Sequence, residues 1–350
     1  MRSLLRGTRV LDLSGYAPGP FCSLLASELG ADVIKIEEPG HGDPLRGLDE
    51  EAFRRLNRGK KSLTLNLKSD QGRRLLLRLA ERSDVLIEGF RPGVMERLGL
   101  AYETLAEQNP RLVYLSMTGY GQQGPYRRRA GHDINYMAVA GALREEVPRI
   151  QFADLAGGGL YGALALMAGL HKSATTGKGS YIDLAMVDGV VSLLGLAMSP
   201  IGEVLSGRYP NYGLYETRDG RWLSVGALEP KFWKAFCEGI ERPDLVQRIG
   251  ATSARQEVAE VVAGKDAAEW HAVFEDRDAC VELVRDPGEA LSHPQVSHRR
   301  MFDPELAVPF ARPADSGEPA PELGEHTLSL LEELGVSPSE VEGLRTDGVC

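Results

Sequence analysis

Arg9-Val10-Leu11-Asp12-Leu13-Ser14-Gly15, then Pro18-Gly19-Pro20-Phe21-Cys22-Ser23-Leu24-Leu25-Ala26-Ser27-Glu28-Leu29-Gly30, then Asp32-Val33-Ile34-Lys35-Ile36: these three stretches decide the fold. The first is a short apolar run that reads as a buried strand ending in a Ser-Gly turn. The second is an apolar helix opened by proline and closed by Gly30. The third is another buried strand. Strand, helix and strand at this spacing make a right-handed crossover between parallel strands. No Gly-x-Gly-x-x-Gly opens the helix, so a nicotinamide dinucleotide site has no fingerprint here.

Working outward, the alternation continues. Ser62–Leu67 reads as a strand, Asp70–Arg82 as an amphipathic helix and Ser83–Glu88 as a further strand. Met95–Leu100 and Tyr102–Gln108 read as helices, Leu112–Met117 and Tyr181–Leu184 as strands, and Met186–Ala197 as a helix stopped by Ser199-Pro200. This is an α/β pattern around a parallel sheet. Beyond it the alternation weakens. Tyr212–Thr217 and Arg221–Gly226 form a hairpin around Asp219-Gly220, and Glu229-Pro230 starts a helix with proline in its first turn.

The chain has 350 residues, 43% of them hydrophobic, which is enough for two domains with real cores. A net charge of −10 argues against nucleic acid or an anionic membrane surface as the general partner. The apolar run Gly189–Met198, read as the longest, falls short of a bilayer span. Cys22, Cys237, Cys280 and Cys350 are scattered without metal-ligand spacing. They read as reduced thiols of a cytoplasmic protein, and no metal site is signalled. The start, Met1–Gly7, is too short to read as a signal peptide.

The chemistry concentrates in Gly131-His132-Asp133-Ile134-Asn135-Tyr136 and Ala153-Asp154-Leu155-Ala156-Gly157-Gly158-Gly159. An imidazole is poised near neutrality, and Asp154 reads as the N-cap of an apolar helix running to Leu170. Free amides at such a helix start, here those of Leu155, Gly157 and Gly158, can hold a developing anion. The plainer alternatives are an Asp cap, a hydrogen-bonded loop histidine and glycines that serve helix packing. A second cluster, Arg54-Arg55-Leu56-Asn57-Arg58-Gly59-Lys60-Lys61, is basic at five of eight positions in an acidic chain. It reads as a phosphate pocket or, equally, as a solvated basic turn. Arg91, after the strand ending at Glu88, stands where open α/β sheets bind ligands.

These pieces, with Gly30-Ala31-Asp32-Val33-Ile34-Lys35-Ile36-Glu37, Phe90-Arg91-Pro92-Gly93-Val94, Thr118-Gly119-Tyr120-Gly121 and Glu229-Pro230-Lys231-Phe232, make a further pattern. In them the chain resembles the family III CoA-transferase superfamily, and within it the branch that racemises α-methylacyl-CoA thioesters. The resemblance implies a Rossmann-like large domain over residues 1–198, a linker at 199–212 and a smaller α+β domain at 213–300. A second linker at 301–325 then leads to C-terminal helices at 326–350 that return to the large domain. It also implies an interlocked homodimer, each active site lying between the large domain of one subunit and the small domain of the other. The implied ligand is an acyl-CoA, with coenzyme A as part of the substrate and no further cofactor. By position, the CoA contacts are Arg58, Lys60, Lys61 and Arg91. The family often has Arg-Pro where this chain has Glu38-Pro39, which makes Arg46 the expected substitute. The racemase pattern sets His132 and Glu229 on one side of the substrate and Asp154 on the other.

Racemisation next to a thioester needs a weakly acidic C–H proton removed from one face and returned to the other. Two bases near neutral poise can do this, and burial would have to raise Asp154 toward that range. The competing reading is CoA transfer, in which Asp154 is a nucleophile forming a mixed anhydride. Transferases of this superfamily tend not to carry the histidine of Gly131-His132-Asp133. A non-catalytic acyl-CoA-binding protein would have no need for three titratable groups at matching positions.

Overall fold

The computed structural model describes residues 4–144, 146–299 and 319–350, with the backbone of 302–303 and 306–307. The expected linker at 301–325 therefore lies largely outside the described residues. The chain divides into two compact units, Met1–Ser192 with Ser297–Cys350, and Leu193–Val296.

The first unit is built on strands β1 (Arg9–Asp12), β2 (Asp32–Glu37), β3 (Lys61–Thr64), β4 (Val85–Glu88), β5 (Val113–Thr118) and β6 (Ser180–Ala185). Their spatial order is β3-β2-β1-β4-β5-β6, and every pairing is parallel. Val10 of β1 lies opposite Val33 of β2 on one side and Val85 of β4 on the other. The chain thus builds outward from β1 in one direction and then resumes on its other side. Loops leaving β1 and β4 part at the carboxyl ends of the strands, which opens the crevice where α/β sheets hold ligands.

Alternate strand residues feed opposite faces. Leu11, Ile34, Leu63, Leu86 and Tyr114 pack with Leu76, Leu79, Leu330 and Leu331 on one face. Val10, Val33, Val85, Val113 and Leu115 pack with Cys22, Ala26 and Leu166 on the other. The returning helices Thr327–Glu333 and Pro338–Thr346 are stitched to the sheet edge. The Thr64 amide donates to the Thr327 hydroxyl at 3.1 Å, and the Asn66 amide to the Val349 carbonyl at 2.8 Å.

Two local expectations are corrected. Asp154 is not an N-cap: Gln151 is, and Phe152–Leu160 is a π-helical segment running into the α-helix Tyr161–Thr176. The cause is the glycine run. A Cβ on Gly157 would stand 2.7 Å from the Met186 carbonyl, and one on Gly159 would stand 2.6 Å from the Phe21 ring. These glycines let neighbouring chain approach closely, the plainer alternative for them. Second, the apolar stretch to weigh against a bilayer is not Gly189–Met198. By length and composition the helical run Phe152–Thr176 could cross a membrane, although Gly162 and Gly169 press it onto Met117 and Val113 of the sheet.

The second unit carries an antiparallel sheet of β7 (Tyr212–Glu216), β8 (Trp222–Gly226) and β9 (Val281–Leu283), in the order β7-β8-β9. Trp233, Phe236, Trp270 and Phe274 fill its core. The span 199–212 holds the short helix Pro200–Val204 and joins this unit, and the helix from Met186 ends at Leu193 rather than Ala197.

Candidate active site

Two connected clefts open at the carboxyl edge of the first unit's sheet. One, of about 410 Å³, lies over the ends of β1 to β4 and is lined by Glu37, Glu38, Leu65, Lys68 and Phe90. The other, of about 680 Å³, is lined by Arg91, Tyr120, His132, Asn135, Tyr136 and Asp154. Ser14, Gly15, Tyr16, Gly89 and Phe90 belong to both.

His132 stands at the start of the helix Asp133–Ala140. Its amide donates to the Asn135 side-chain oxygen at 3.0 Å, which fixes the turn presenting the imidazole. Asp133 points to the neighbouring segment, where its carboxylate accepts the Asp154 amide at 2.9 Å. This bond ties the two halves of the site together. Burial, followed by the like charge of Asp133, pushes the Asp154 carboxyl up to about 6, with His132 pulling the other way. The raised carboxyl is thus a property of the free site, before any acyl chain enters. Tyr136, whose hydroxyl donates to the Gly131 carbonyl, is pushed up to about 12 by burial and by Asp154.

The anion site proposed for the helix start does not hold. The Leu155 amide donates to the Gln151 carbonyl at 2.9 Å and the Asp154 amide to Asp133. Those of Gly157 and Gly158 lie inside the π-helical segment, whose bonds run within it. Glu229 is the N-cap residue of the helix Pro230–Gly239 in the second unit, and it is exposed.

Of the five cations expected at CoA, only Arg91 lines a cleft. Arg58 is 5% exposed and pairs with Glu28. Lys60 is buried and donates to Asn57 at 2.8 Å, the Pro20 carbonyl at 2.9 Å and Asp12 at 3.2 Å. Lys61 pairs with Asp32 at 2.8 Å at the amino ends of β3 and β2, away from the clefts. Arg46 grips both oxygens of Glu37 at 2.8 and 2.9 Å and lies over the Phe53 ring. The basic run is therefore chiefly structural. Lys60, with Lys35, neutralises Asp12 beneath the Ser14 turn and holds its carboxyl far below the usual range despite burial. Besides Arg91, the exposed cations that line the clefts were not expected: Arg127 and Arg129 in one, and Lys68, paired with Glu38 at 2.8 Å, in the other, where the buried Lys35, paired with Asp43 at 2.7 Å, also contributes. The run Arg127-Arg128-Arg129 just before Gly131 was the signal that could have found two of them.

A family model described as CoA-transferase family III matches residues 5–327. The chain is 38% identical to human alpha-methylacyl-CoA racemase, over 99% of this chain and 97% of that protein. It is 30% identical to human succinyl-CoA:glutarate CoA-transferase, over 94% of this chain and 86% of that protein. Among solved structures, a CAIB/BAIF family protein from Brucella suis superposes with a TM-score of 0.80 at 26% identity. That match covers 95% of this chain and all (100%) of the other.

Proposed function

Because the chain belongs to CoA-transferase family III and is an enzyme of that superfamily, we propose that it racemises the α-carbon of 2-methyl-branched acyl-CoA thioesters by proton transfer between two bases. The observation that carries the reading is the sharing of one cleft by His132 and a half-buried Asp154 raised to about 6. A carboxyl at that poise accepts a proton and returns it within the range where imidazole also titrates. In the proposal, the substrate's C2 lies between the two groups. One takes the proton to give an enolate, and the other protonates the opposite face. Asn135, its oxygen held by the His132 amide, keeps two N–H donors for the thioester oxygen. CoA lies along the connected clefts, its anionic end met by Lys68 and Arg91. Glu229 supports the imidazole from the second unit of a partner copy. The exposed apolar side chains Val139, Phe152, Leu160 and Leu164 on the first unit support a self-associating protein.

Solvent deuterium tests the reading. Wash-in at C2 of a 2-methylacyl-CoA is expected, and its absence together with CoA transfer to a free carboxylate would favour the alternative, with Asp154 as nucleophile. Asp154→Asn and His132→Ala should each abolish interconversion while leaving CoA binding, read by calorimetry, within about twofold.

A further inference from the structure

Glu88 ends β4 at the point where the strand order reverses and is 3% exposed. One of its oxygens accepts the Phe90 amide at 2.8 Å, so the carboxylate closes the turn that carries Gly89-Phe90-Arg91 onto the clefts. Ser116 of β5, which accepts the Gln122 side-chain amide at 2.6 Å, hydrogen-bonds to Glu88 from the other side, while burial pushes the Glu88 carboxyl up to about 7. Glu88 also lines a separate polar hollow of about 130 Å³ behind the loop, walled by Arg91, Glu96 and the rings of Tyr102, Tyr114 and Tyr181. Arg91 is the residue common to this hollow and to the cleft of His132 and Asp154. Among the described residues, its guanidinium has no ion-pair partner. A mobile arginine between an acidic hollow and an open cleft would spend its time in either, whereas a turn pinned at Phe90 limits where it reaches.

We propose that Glu88 is a positioning residue: through its bond to the Phe90 amide it fixes the loop behind Arg91 and so sets the guanidinium to meet the anionic part of a CoA thioester. The inference rests on the reading above only in taking CoA as the ligand. It does not depend on which chemistry follows.

Assayed at pH 8.5, where a carboxyl raised to about 7 is ionised, the isosteric Glu88→Gln keeps the buried shape and turns a carboxylate acceptor for the Phe90 amide into a neutral one, and Glu88→Asp keeps the carboxylate on a shorter arm. For Glu88→Gln, KM for an acyl-CoA and Kd for free CoA should rise about tenfold, the size of one charge-assisted hydrogen bond, with kcat within about twofold. Glu88→Asp should recover part of that loss. In an Arg91→Ala background, Glu88→Gln should add nothing to the loss already present. An acyl-N-acetylcysteamine thioester, which lacks the phosphates, should show no change in KM. A fall in kcat with KM and Kd unmoved, or a full tenfold loss retained on top of Arg91→Ala, would overturn the proposal. Equilibrium unfolding of each variant separates a folding defect from either result. Binding of free CoA reads Glu88 even if no C2 proton exchanges, so failure of the racemase reading is distinguishable.

Discussion

Asp133 lies next to the imidazole in sequence and one hydrogen bond from Asp154, and its charge is part of what raises the Asp154 carboxyl. Asp133→Asn should therefore move the acidic limb of the C2 exchange profile to lower pH, because a repulsion that disfavours the Asp154 anion has been removed. An unmoved limb would assign the raised value to burial alone. The same shift has a stability sign. A carboxyl whose folded value, about 6, exceeds its unfolded value is a cost above pH 6 that disappears below the unfolded value near 4. Asp154→Asn should raise stability at pH 8 by on the order of 1 kcal/mol and leave it unchanged at pH 4, measured by urea unfolding. That His132, Asp154 and Arg91 come to line one cleft was within reach of the sequence, because the stretches that hold them follow strand ends or open helices. The partners of the Asp154 amide were not, because a glycine run can open a helix or pack one, and only the neighbours of Gly157 and Gly159 decide which.

At the scale of elements, the basic run 54–61 shows what charge counting misses. A lysine or arginine beside a strand can face a phosphate or a buried carboxylate, and one sequence does not say which. Lys60→Met, which leaves Asp12 with Lys35 as its remaining buried cation, should destabilise the protein by on the order of 3 kcal/mol while the folded fraction binds CoA normally. Weakened binding in fully folded protein would restore Lys60 to the CoA site. The glycine helix makes a second demand. Gly157→Ala places a methyl 2.7 Å from the Met186 carbonyl and should cost about 1–3 kcal/mol, with exchange activity lost as Asp154 shifts. The strands, by contrast, could be read from the chain closely, because short runs rich in Val, Ile and Leu are bounded by turn residues and alternate with helical patterns.

At the scale of the molecule, the parallel sheet and the smaller antiparallel sheet follow the expected alternation and its weakening beyond Ser199. What no pattern supplied was the division at Ser192, within the helix Met186–Leu193. Packing, rather than composition, sets that point. On the proposed self-association, Leu164→Glu, at a side chain 66% exposed on the first unit, should shift the protein to monomer in sedimentation velocity. An unchanged assembly would mean that this surface faces solvent.

The sheet edge stitched by Thr327 and Val349 also bears on the order in which the protein is made. Leu330, Leu331 and Val341 share a core with Leu11 and Ile34, yet all of Leu193–Val296 is translated between them. The second unit, contiguous in the chain, can close on the ribosome. The first waits half-finished, its β3 edge bare, until the returning helices emerge.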